Sequence, residues 1–533
     1  VPDLGATGRG EDMEITTYLE KAFSSELSGN VVDLCPVGAL TSKPYAFNAR
    51  PWELRKTESV DVMDAQGCNI RVDARGPQVL RVLPRLNDDV NEEWISDKTR
   101  HACDGLNRQR LDKPYVRKNG KLAPATWAEA FAAIAARMSA TKPEKMAAIV
   151  GDLAAAEEIK ALKDLMTSFG DVNLECRQDG AKIGTGPRQS WLFNTTIAGV
   201  ESADTILLIG ANPRWEAPVL NARIRKAWTN GPVKIANIGT PVDLTYPVEQ
   251  LGGADVLSAI ADGSHAFAKV LKDAQRPMII VGSGALARAD GAAILHIAAK
   301  IAGDSGAIGP AGTPAEGGWI GFNVLHTAAS RVGALDLGFV NGRDMAGILD
   351  GAGKGEIDFV WLLGADEFDV NKLGSAFVVY QGTHGDAGAH RADVILPGAA
   401  YTEKEGLYVN FEGRVQRTRR AVFPPGDAKE DWAIIRAFSQ VAGKTLPYDD
   451  RDALHQAIYK DALTFKDMHE APAHMGADPA VWGAIGKAGA IDGKAPLECT
   501  IRDFYLTNPI ARASETMAEC SRIFVGGAQM AAE

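Results

Sequence analysis

The stretch TILLIGANPRWEAPVLNARIRKAW, residues 205–228, contains the pattern that decides the fold. Its first five residues are apolar almost throughout, which predicts a β-strand buried on both faces, as in a parallel sheet. Gly210 ends this run, and residues 218–228 then have the spacing of a helix. A buried strand, a glycine turn and a helix form the repeating unit of a doubly wound α/β sheet.

Six further apolar runs repeat this pattern between residues 111 and 445. They are 146–151 (MAAIVG), 233–239 (VKIANIG), 278–282 (MIIVG), 359–364 (FVWLLG), 377–382 (FVVYQG) and 394–397 (VILP). Ala-rich helical stretches such as residues 128–138 lie between them, and this alternation predicts right-handed βαβ crossovers. We therefore expect an α/β body with a doubly wound parallel sheet, built as two lobes.

The regions on either side of this body have a different texture. A small β-rich domain is expected over residues 54–110. Its strands are predicted at 59–63, 69–72 and 79–82, with turns at Gly67 and at residues 75–77. Residues 1–53 form a separate segment, in which 16–23 has helical spacing. Residues 446–533 make a fourth region of mixed character.

Composition narrows the class of protein. The chain has 533 residues, 46% of them hydrophobic, and a formal net charge of −11. This is ordinary for a globular protein with a sizeable core, and the negative charge argues against a nucleic-acid binder. No apolar run reaches the roughly 18–20 residues that span a bilayer, and no signal peptide opens the chain. We expect any link to a membrane to go through partner proteins.

Cysteine usage points to one position. The chain has six cysteines, too widely spaced for a disulfide framework or for a complete four-thiolate cluster site. Cys35 lies in NVVDLCPVGAL, residues 30–40. A cysteine followed by proline and a glycine turn is typical of the last cysteine in a ferredoxin-type run. On this segment alone, Cys35 is equally well a cluster ligand or a buried free thiol.

Long strings of sequence around Cys35 and elsewhere carry a family resemblance. They are GNVVDLCPVGALTSKPYAFNARPWELRKTESVDVMDA (29–65), NEEWISDKTRHACDGLNRQRL (91–111), residues 194–228 and NPIARASETMAECS (508–521). These strings resemble the large iron–sulfur subunit of the proton-pumping NADH:quinone oxidoreductase, respiratory complex I. The resemblance covers essentially the whole chain. It implies an electron-transfer subunit that relays electrons from NADH and flavin through iron–sulfur clusters toward quinone, with no catalytic site of its own.

The same resemblance implies where cofactors and partners lie. Cys35 matches the fourth ligand of a [4Fe–4S] cluster, whose other ligands lie upstream of Val1 in an N-terminal part that is absent from this chain. A second [4Fe–4S] cluster and a [2Fe–2S] cluster are implied in the same part, so residues 1–53 would end a ferredoxin-like domain. The implied partners are the flavin- and NADH-binding subunit and the downstream iron–sulfur and quinone-site subunits of the peripheral arm. The implied location is the cytoplasmic face of a bacterial inner membrane or the matrix side of the mitochondrial one.

The small domain, residues 54–110, resembles the [4Fe–4S] domain that opens the molybdenum- and tungsten-dependent molybdopterin oxidoreductases. The ligand positions of that domain fall on Asp61, Asp64, Cys68 and Ser96 of this chain. One thiolate, two carboxylates and a hydroxyl are a poor ligand set for a soft iron–sulfur cluster. We therefore expect no cluster at these four positions.

The body, residues 111–445, resembles the same enzymes at residues 210–218 (GANPRWEAP) and 390–416. Residues 282–287 (GSGALA) also fit a dinucleotide loop, although glycine after a buried strand is more often only a tight turn. Cys176 falls about where active relatives keep a metal-bound cysteine. An active molybdopterin-dependent oxidoreductase of the formate dehydrogenase type is therefore the alternative function. Because the companion domain lacks its ligands, we expect an inert scaffold without a molybdenum cofactor.

Three arginines, Arg417, Arg419 and Arg420, follow the second of these stretches as a basic cluster. Such a cluster is usually a solvated face, and it can also be a contact with another subunit.

Overall fold

The computed structural model describes residues 4–17, 23–310, 312, 316–470 and 478–526. The strands are, in chain order, β1 Leu4–Thr7, β2 Glu14–Thr17, β3 Arg55–Val60, β4 Asn69–Arg75, β5 Gln78–Pro84, β6 Tyr115–Lys118, β7 Lys121–Pro124, β8 Met146–Val150, β9 Asn173–Glu175, β10 Thr205–Ile209, β11 Lys234–Ile238, β12 Glu249–Gly252, β13 Pro277–Val281, β14 Phe322–Val324, β15 Phe359–Leu363, β16 Phe377–Gly382, β17 Val394–Pro397, β18 Leu407–Val409 and β19 Val415–Arg417. The α-helices are α1 Val31–Leu34, α2 Asp97–His101, α3 Trp127–Ala140, α4 Ala156–Thr167, α5 Pro213–Glu216, α6 Pro218–Asn230, α7 Val256–Ala261, α8 Ala266–Asp273, α9 Ser283–Leu286, α10 Gly291–Asp304, α11 Arg331–Asp336, α12 Met345–Gly353, α13 Ala387–Arg391, α14 Asp431–Val441, α15 Arg451–Asp461, α16 Pro479–Gly483, α17 Pro509–Ala513 and α18 Glu515–Phe524.

The first lobe of the body is a seven-stranded sheet in the order β7-β6-β17-β16-β15-β8-β9. The strands from β17 to β9 are parallel, and β6 with β7 adds an antiparallel hairpin at one edge. Every residue of β8 and β15 is buried, as expected for strands covered by helices on both faces. The predicted parallel sheet is therefore confirmed, with a mixed edge that the apolar pattern does not indicate.

The second lobe is a five-stranded parallel sheet in the order β12-β11-β10-β13-β14. It is inserted in the chain between β9 and β15 of the first lobe. Its central strand β10 pairs with both β11 and β13, and all five of its residues are buried. The prediction of two doubly wound lobes is thus confirmed.

Each sheet changes its direction of winding beside its central strands, β10 and β13 in one lobe and β8 and β15 in the other. A Cβ atom added to Gly151, after β8, would lie 1.9 Å from the carbonyl oxygen of Gly364, after β15. Such close approach makes glycine necessary at this edge. In open α/β sheets, ligands bind outside the carboxyl ends of the strands at these switch points. Residues from both edges line one cavity, which defines the interlobe cleft.

The small domain is a three-stranded antiparallel sheet, β3-β4-β5. Its first strand spans Arg55–Val60 rather than the predicted 59–63, because the Asp61 side chain accepts the Met63 N–H at 3.1 Å and turns the chain. The predicted turns are confirmed, since Gly67 and Gly76 have φ of 68° and 59°.

At the N-terminus, β1 and β2 form an antiparallel hairpin. The helix predicted over residues 16–23 is wrong for Thr16 and Thr17, which pair with Gly5 and Leu4 in this hairpin. β-Branched residues favour strands, and here cross-strand pairing overrides the helical spacing. Residues 18–22 lie outside the described residues.

The C-terminal region returns to the small domain through α17 and α18. Phe504 and Met517 are buried in the same apolar cluster as Ile70 of β4. A Cβ atom on Gly105 would lie 2.0 Å from the carbonyl oxygen of Ile510, so the two backbones are in direct contact. Within the described ranges, no helix has both the length and the apolar character needed to cross a bilayer.

Candidate metal centre and interlobe cleft

Cys35 lies directly after α1, and its N–H donates to the carbonyl of Val31 at 3.1 Å. The next residues curl back, with Gly38 at φ 67°, so that the Leu40 N–H donates to Cys35 Sγ at 3.5 Å. This contact, with smaller contributions from the N–H groups of residues 37–39, lowers the pKa of the Cys35 thiol. The loop therefore favours the thiolate, which is the form that binds iron.

Apolar side chains beside Cys35 are exposed. Leu34 and Val37 have 59% and 82% of their surface open to solvent. In the part of the chain that the structure describes, no group of three His, Cys, Asp or Glu side chains could hold a metal ion. One thiolate does not hold an iron–sulfur cluster. A cluster at Cys35 would take its other ligands from outside the described residues.

The segment that carries Cys35 is fixed to α2 by polar contacts. The Asn30 amide bonds both the N–H and the carbonyl of Ile95, at 3.2 and 2.8 Å. The Gly29 N–H donates to Asp97 Oδ1 at 2.7 Å, and Arg100 forms an ion pair with Asp33. These contacts hold the candidate ligand at a defined position on the small domain.

The four positions that match cluster ligands in the small domain come together in the structure. Asp61, Asp64, Cys68 and Ser96 each expose 2% or less of their surface. The Thr99 hydroxyl joins two of them, because it donates to Asp61 Oδ2 at 2.8 Å and lies 2.9 Å from Ser96 Oγ. The group is therefore a hydrogen-bonded polar cluster.

Burial sets the protonation of this cluster. It raises the pKa of Asp61 to about 7, with a further contribution from Asp64, and it raises the pKa of Asp64 and of the Cys68 thiol. Burial lowers the pKa of Lys98, whose ammonium group donates to Thr507 Oγ1 at 2.9 Å. Protonated acids and a neutral thiol do not bind iron, so this chemistry does not favour a cluster.

At the carboxyl edge of the five-stranded sheet, the loop after β13 is occupied by a side chain of the protein. The Ser283 N–H, placed where such loops bind a nucleotide phosphate, donates to Glu216 Oε1 at 2.8 Å. Glu216 Oε2 accepts the Asn212 N–H at 2.7 Å. The Glu216 side chain is fully buried, and burial raises its pKa. Its carboxylate therefore takes the place that an anionic ligand would need.

The glycines of these loops serve close packing. A Cβ atom on Gly282 would lie 2.4 Å from Ala211 Cα, and one on Gly210 would lie 2.6 Å from Ala285 N. A Cβ atom on Gly284 would lie 2.6 Å from the carbonyl oxygen of Glu498. No space remains between these backbones for a pyrophosphate.

Residues 492–503, the cleft segment, cross this edge of the sheet. The Leu497 carbonyl accepts the Thr240 N–H at 3.1 Å, and the Thr500 N–H donates to Ser283 Oγ at 3.2 Å. Farther along, the Asp492 N–H donates to Asp290 Oδ2 at 2.8 Å. The cleft segment thereby covers the loops that follow β11 and β13.

The cavity that remains in the cleft has a volume of about 350 Å³ and a charged lining. Its lining includes Asp64, Lys98, Asp152 and Arg331. This volume is at the lower end of the range for pockets that hold drug-sized ligands. A cofactor made of two pterin dinucleotides is larger than such ligands. The residues present therefore do not fit a molybdopterin dinucleotide cofactor.

Cys176 follows β9 and exposes 1% of its surface in the apolar core. Burial, with a contribution from Glu175, raises the pKa of its thiol to about 12. Its N–H donates to Glu175 Oε1 at 2.9 Å, and its side chain is not among those that line the cavity. The structure thus places Cys176 beside the cleft as a protonated core residue, without the features of a metal ligand.

One residue of the cleft has no counterpart in the expectations from sequence. Glu216 lies in the stretch 210–218, where a carboxylate next to a suspected phosphate loop is the signal that indicates self-occupancy.

Comparison with known families gives four matches along the chain. They are the molybdopterin oxidoreductase family at residues 110–441, the NADH-ubiquinone oxidoreductase NDSU1/NuoG-like 4Fe-4S domain at 54–104, the NADH-quinone oxidoreductase subunit 3 ferredoxin-like domain at 1–41, and the C-terminal domain of the NuoG-like NADH-ubiquinone oxidoreductase protein at 472–520. The last of these includes the cleft segment.

Curated relatives match over nearly the full chain. The mitochondrial NADH-ubiquinone oxidoreductase 78 kDa subunit of Neurospora crassa is 50% identical over 98% of this chain and 69% of its own length. That of Candida albicans is 48% identical over 98% and 72%, and the 75 kDa subunit of Reclinomonas americana is 44% identical over 98% and 76%. Among solved structures, acetylene hydratase from Pelobacter acetylenicus aligns with a TM-score of 0.59 at 12% identity, over 87% of this chain and 78% of that chain. That likeness shows a shared fold.

Proposed function

Because the chain belongs to the family of the 75/78 kDa subunits of NADH-ubiquinone oxidoreductase, respiratory complex I, we propose that Cys35 ties it to the electron path of that enzyme. The chain is an electron-transfer subunit with a molybdopterin-enzyme-like scaffold. In the proposal, Cys35 is the fourth ligand of a [4Fe–4S] cluster, and the other three ligands precede Val1 in the full polypeptide. The observation that carries it is the Leu40 N–H on Cys35 Sγ.

The residues around Cys35 support this role through electrostatics. A bound cluster would supply one-electron redox chemistry. The Leu40 N–H stabilises negative charge on the sulfur, and hydrogen bonds to cluster sulfurs raise the reduction potential. Asn30 and Asp97 keep the loop in place on the small domain. We assign no bond-making step and no catalytic residue to this chain.

The wider organisation follows from family membership. We propose that residues 1–53 end a ferredoxin-like domain, that 54–110 form a small domain without a cluster, that 111–445 form the body and that 446–533 form the closing region. A further [4Fe–4S] and a [2Fe–2S] cluster would lie upstream of Val1. The partners would be the flavin- and NADH-binding subunit and the downstream iron–sulfur and quinone-site subunits. The location would be the cytoplasmic face of a bacterial membrane or the matrix side of the mitochondrial one.

We also propose that the body carries no molybdenum cofactor. The support is the Glu216 carboxylate on Ser283 N–H, together with the cleft segment across the same loops. The rival function, a molybdopterin-dependent oxidoreductase of the formate dehydrogenase type, would need Cys176 as a thiolate, whereas burial raises the pKa of that thiol. Elemental analysis of the intact subunit tests this, since stoichiometric molybdenum or tungsten would establish the rival function.

The test of the cluster proposal is Cys35→Ala in the full-length subunit of the assembled complex. We expect one [4Fe–4S] electron paramagnetic resonance signal and about four iron atoms per complex to be lost. Cys103→Ala is the matched control, because burial raises the pKa of Cys103 to about 12 and its thiol donates to the Arg100 carbonyl. An unchanged spectrum in Cys35→Ala, with the complex intact, would refute the proposal.

A further inference from the structure

The three arginines that follow β18 form an exposed ridge with Phe423. Arg419 and Arg420 are exposed, and neither makes an ion pair within the ranges that the structure describes. The Arg420 guanidinium lies 4.6 Å from the centre of the Phe423 ring, and Phe423 is 68% exposed. The pair presents a flat cation and an aromatic face side by side.

The backbone beneath this ridge is fixed. The N–H groups of Ala421 and Val422 both donate to the Thr402 carbonyl, at 2.8 and 3.1 Å, and both side chains are buried. The Arg419 N–H donates to Ser59 Oγ of β3 at 3.2 Å. Because the backbone is already ordered, burying Arg419, Arg420 and Phe423 against a partner would require little further loss of conformational entropy.

Positive charge accumulates around the ridge although the chain carries −11 overall. Arg417 has a single carboxylate partner, Glu405, which also binds Arg451. Burial, then Arg85, Arg419 and two further arginines, lower the pKa of the neighbouring His469, so several guanidinium groups converge here. The ridge is a local positive field on an acidic protein.

We propose that the ridge of Arg417, Arg419, Arg420 and Phe423 docks an acidic protein surface on another subunit of the same enzyme. Guanidinium groups bind carboxylates with two parallel hydrogen bonds, and arginine with aromatic residues is enriched in protein interfaces. The acidic remainder of the chain repels such a surface, which would orient the encounter. The inference rests on membership of a multisubunit enzyme and not on Cys35 as a ligand.

The first experiment reverses the charge of the ridge. In the full-length subunit, Arg419→Glu with Arg420→Glu is compared with Lys269→Glu and Lys272→Glu on α8, an exposed pair in the other lobe that changes the net charge equally. Purified assembled complexes are held at rising NaCl concentration and separated by size. We expect the ridge variant to lose the subunit at about half the salt concentration of the wild type, and the control to match the wild type. Equal midpoints for all three would overturn the proposal.

The second experiment identifies the contact in an otherwise unchanged chain. A photoreactive benzoylphenylalanine replaces Phe423, and the assembled complex is irradiated and digested. We expect a crosslink to a peptide of another subunit that is rich in Asp and Glu. A crosslink to lipid alone, or none to another subunit, would overturn the proposal. The iron content and the cluster spectra of the ridge variant stay at wild-type values, which separates this test from that of Cys35.

Discussion

The carboxylate of Glu216 accepts the backbone N–H of Ser283 at 2.8 Å, across the switch point of the five-stranded sheet. Its other oxygen accepts the N–H of Asn212, so one side chain ties the loop after β10 to the loop after β13. In a nucleotide-binding relative of this fold, a phosphate would take this place. The lobe therefore completes its own anion position.

Removing this carboxylate should destabilise the body. Glu216→Ala leaves two buried N–H groups without acceptors, and we expect a loss of about 2–4 kcal/mol in the free energy of unfolding. Urea unfolding followed by circular dichroism measures the change. Glu498→Ala, at a half-exposed side chain, is the control and should stay within about 0.5 kcal/mol of the wild type. Equal midpoints for the two variants would contradict the assigned role.

A methyl group at Gly284 should displace the cleft segment. The added Cβ atom would lie 2.6 Å from the carbonyl oxygen of Glu498, and both atoms belong to backbones held by other contacts. We expect Gly284→Ala to expose residues 492–503 to limited proteolysis at least about tenfold faster, equivalent to about 1.4 kcal/mol. Gly303→Ala in α10, where the added Cβ atom has open space, is the control. Equal cleavage of both variants would show that the segment is not held by this contact.

The polar cluster at Asp61 should make stability depend on pH. Burial raises the pKa of Asp61 from 3.8 to about 7. Between those values the folded chain keeps a proton that the unfolded chain releases, so this residue lowers stability as pH rises from about 4 to about 7. Asp61→Asn removes this contribution while its amide oxygen can still accept from Thr99. We expect a smaller loss of stability between pH 5.5 and 8 than in the wild type, measured by urea unfolding at both values. Exposed Asp88→Asn should retain the wild-type difference, and the same retention in Asp61→Asn would count against the burial argument.

The attachment of the Cys35 segment to α2 can be tested at Gly29. A Cβ atom there would lie 2.7 Å from Arg100 Cδ and 2.9 Å from Asp97 Oδ1. We expect Gly29→Ala to weaken the docking of residues 29–40 by about 1–3 kcal/mol, seen as faster amide hydrogen exchange in that segment alone. The comparison variant is again Gly303→Ala, which should leave exchange in residues 29–40 unchanged. Wild-type exchange rates in Gly29→Ala would mean that the segment is held elsewhere.

The buried strands of the body follow directly from sequence. Residues 146–150 and 359–363 are apolar throughout, because both faces of a parallel sheet are covered by helices. Strands with a polar face do not produce this pattern. β12, with sequence EQLG, is mostly exposed at a sheet edge, and β6 with β7 is recognisable only from its pairing with β17.

The candidate sites divide in the same way. The position of Cys35 in a cysteine–proline–glycine context is local, and sequence therefore indicates it. The occupation of the interlobe cleft is not local, since it depends on backbone contacts between residues 492–503 and the loops after β11 and β13. Helical spacing at residues 16–23 also misled, because pairing with β1 decides the structure of Thr16 and Thr17.

The insertion of one sheet within the other has a consequence for synthesis of the protein. β8 begins at Met146, and its neighbour β15 begins at Phe359, so the ribosome adds the whole five-stranded sheet before the seven-stranded sheet can close. During that interval, β8 has an open apolar edge, which is a template for aggregation. The inserted lobe, whose strands follow one another along the nascent chain, can fold first. Closure of β15 onto β8 is then the late event that a chaperone would guard.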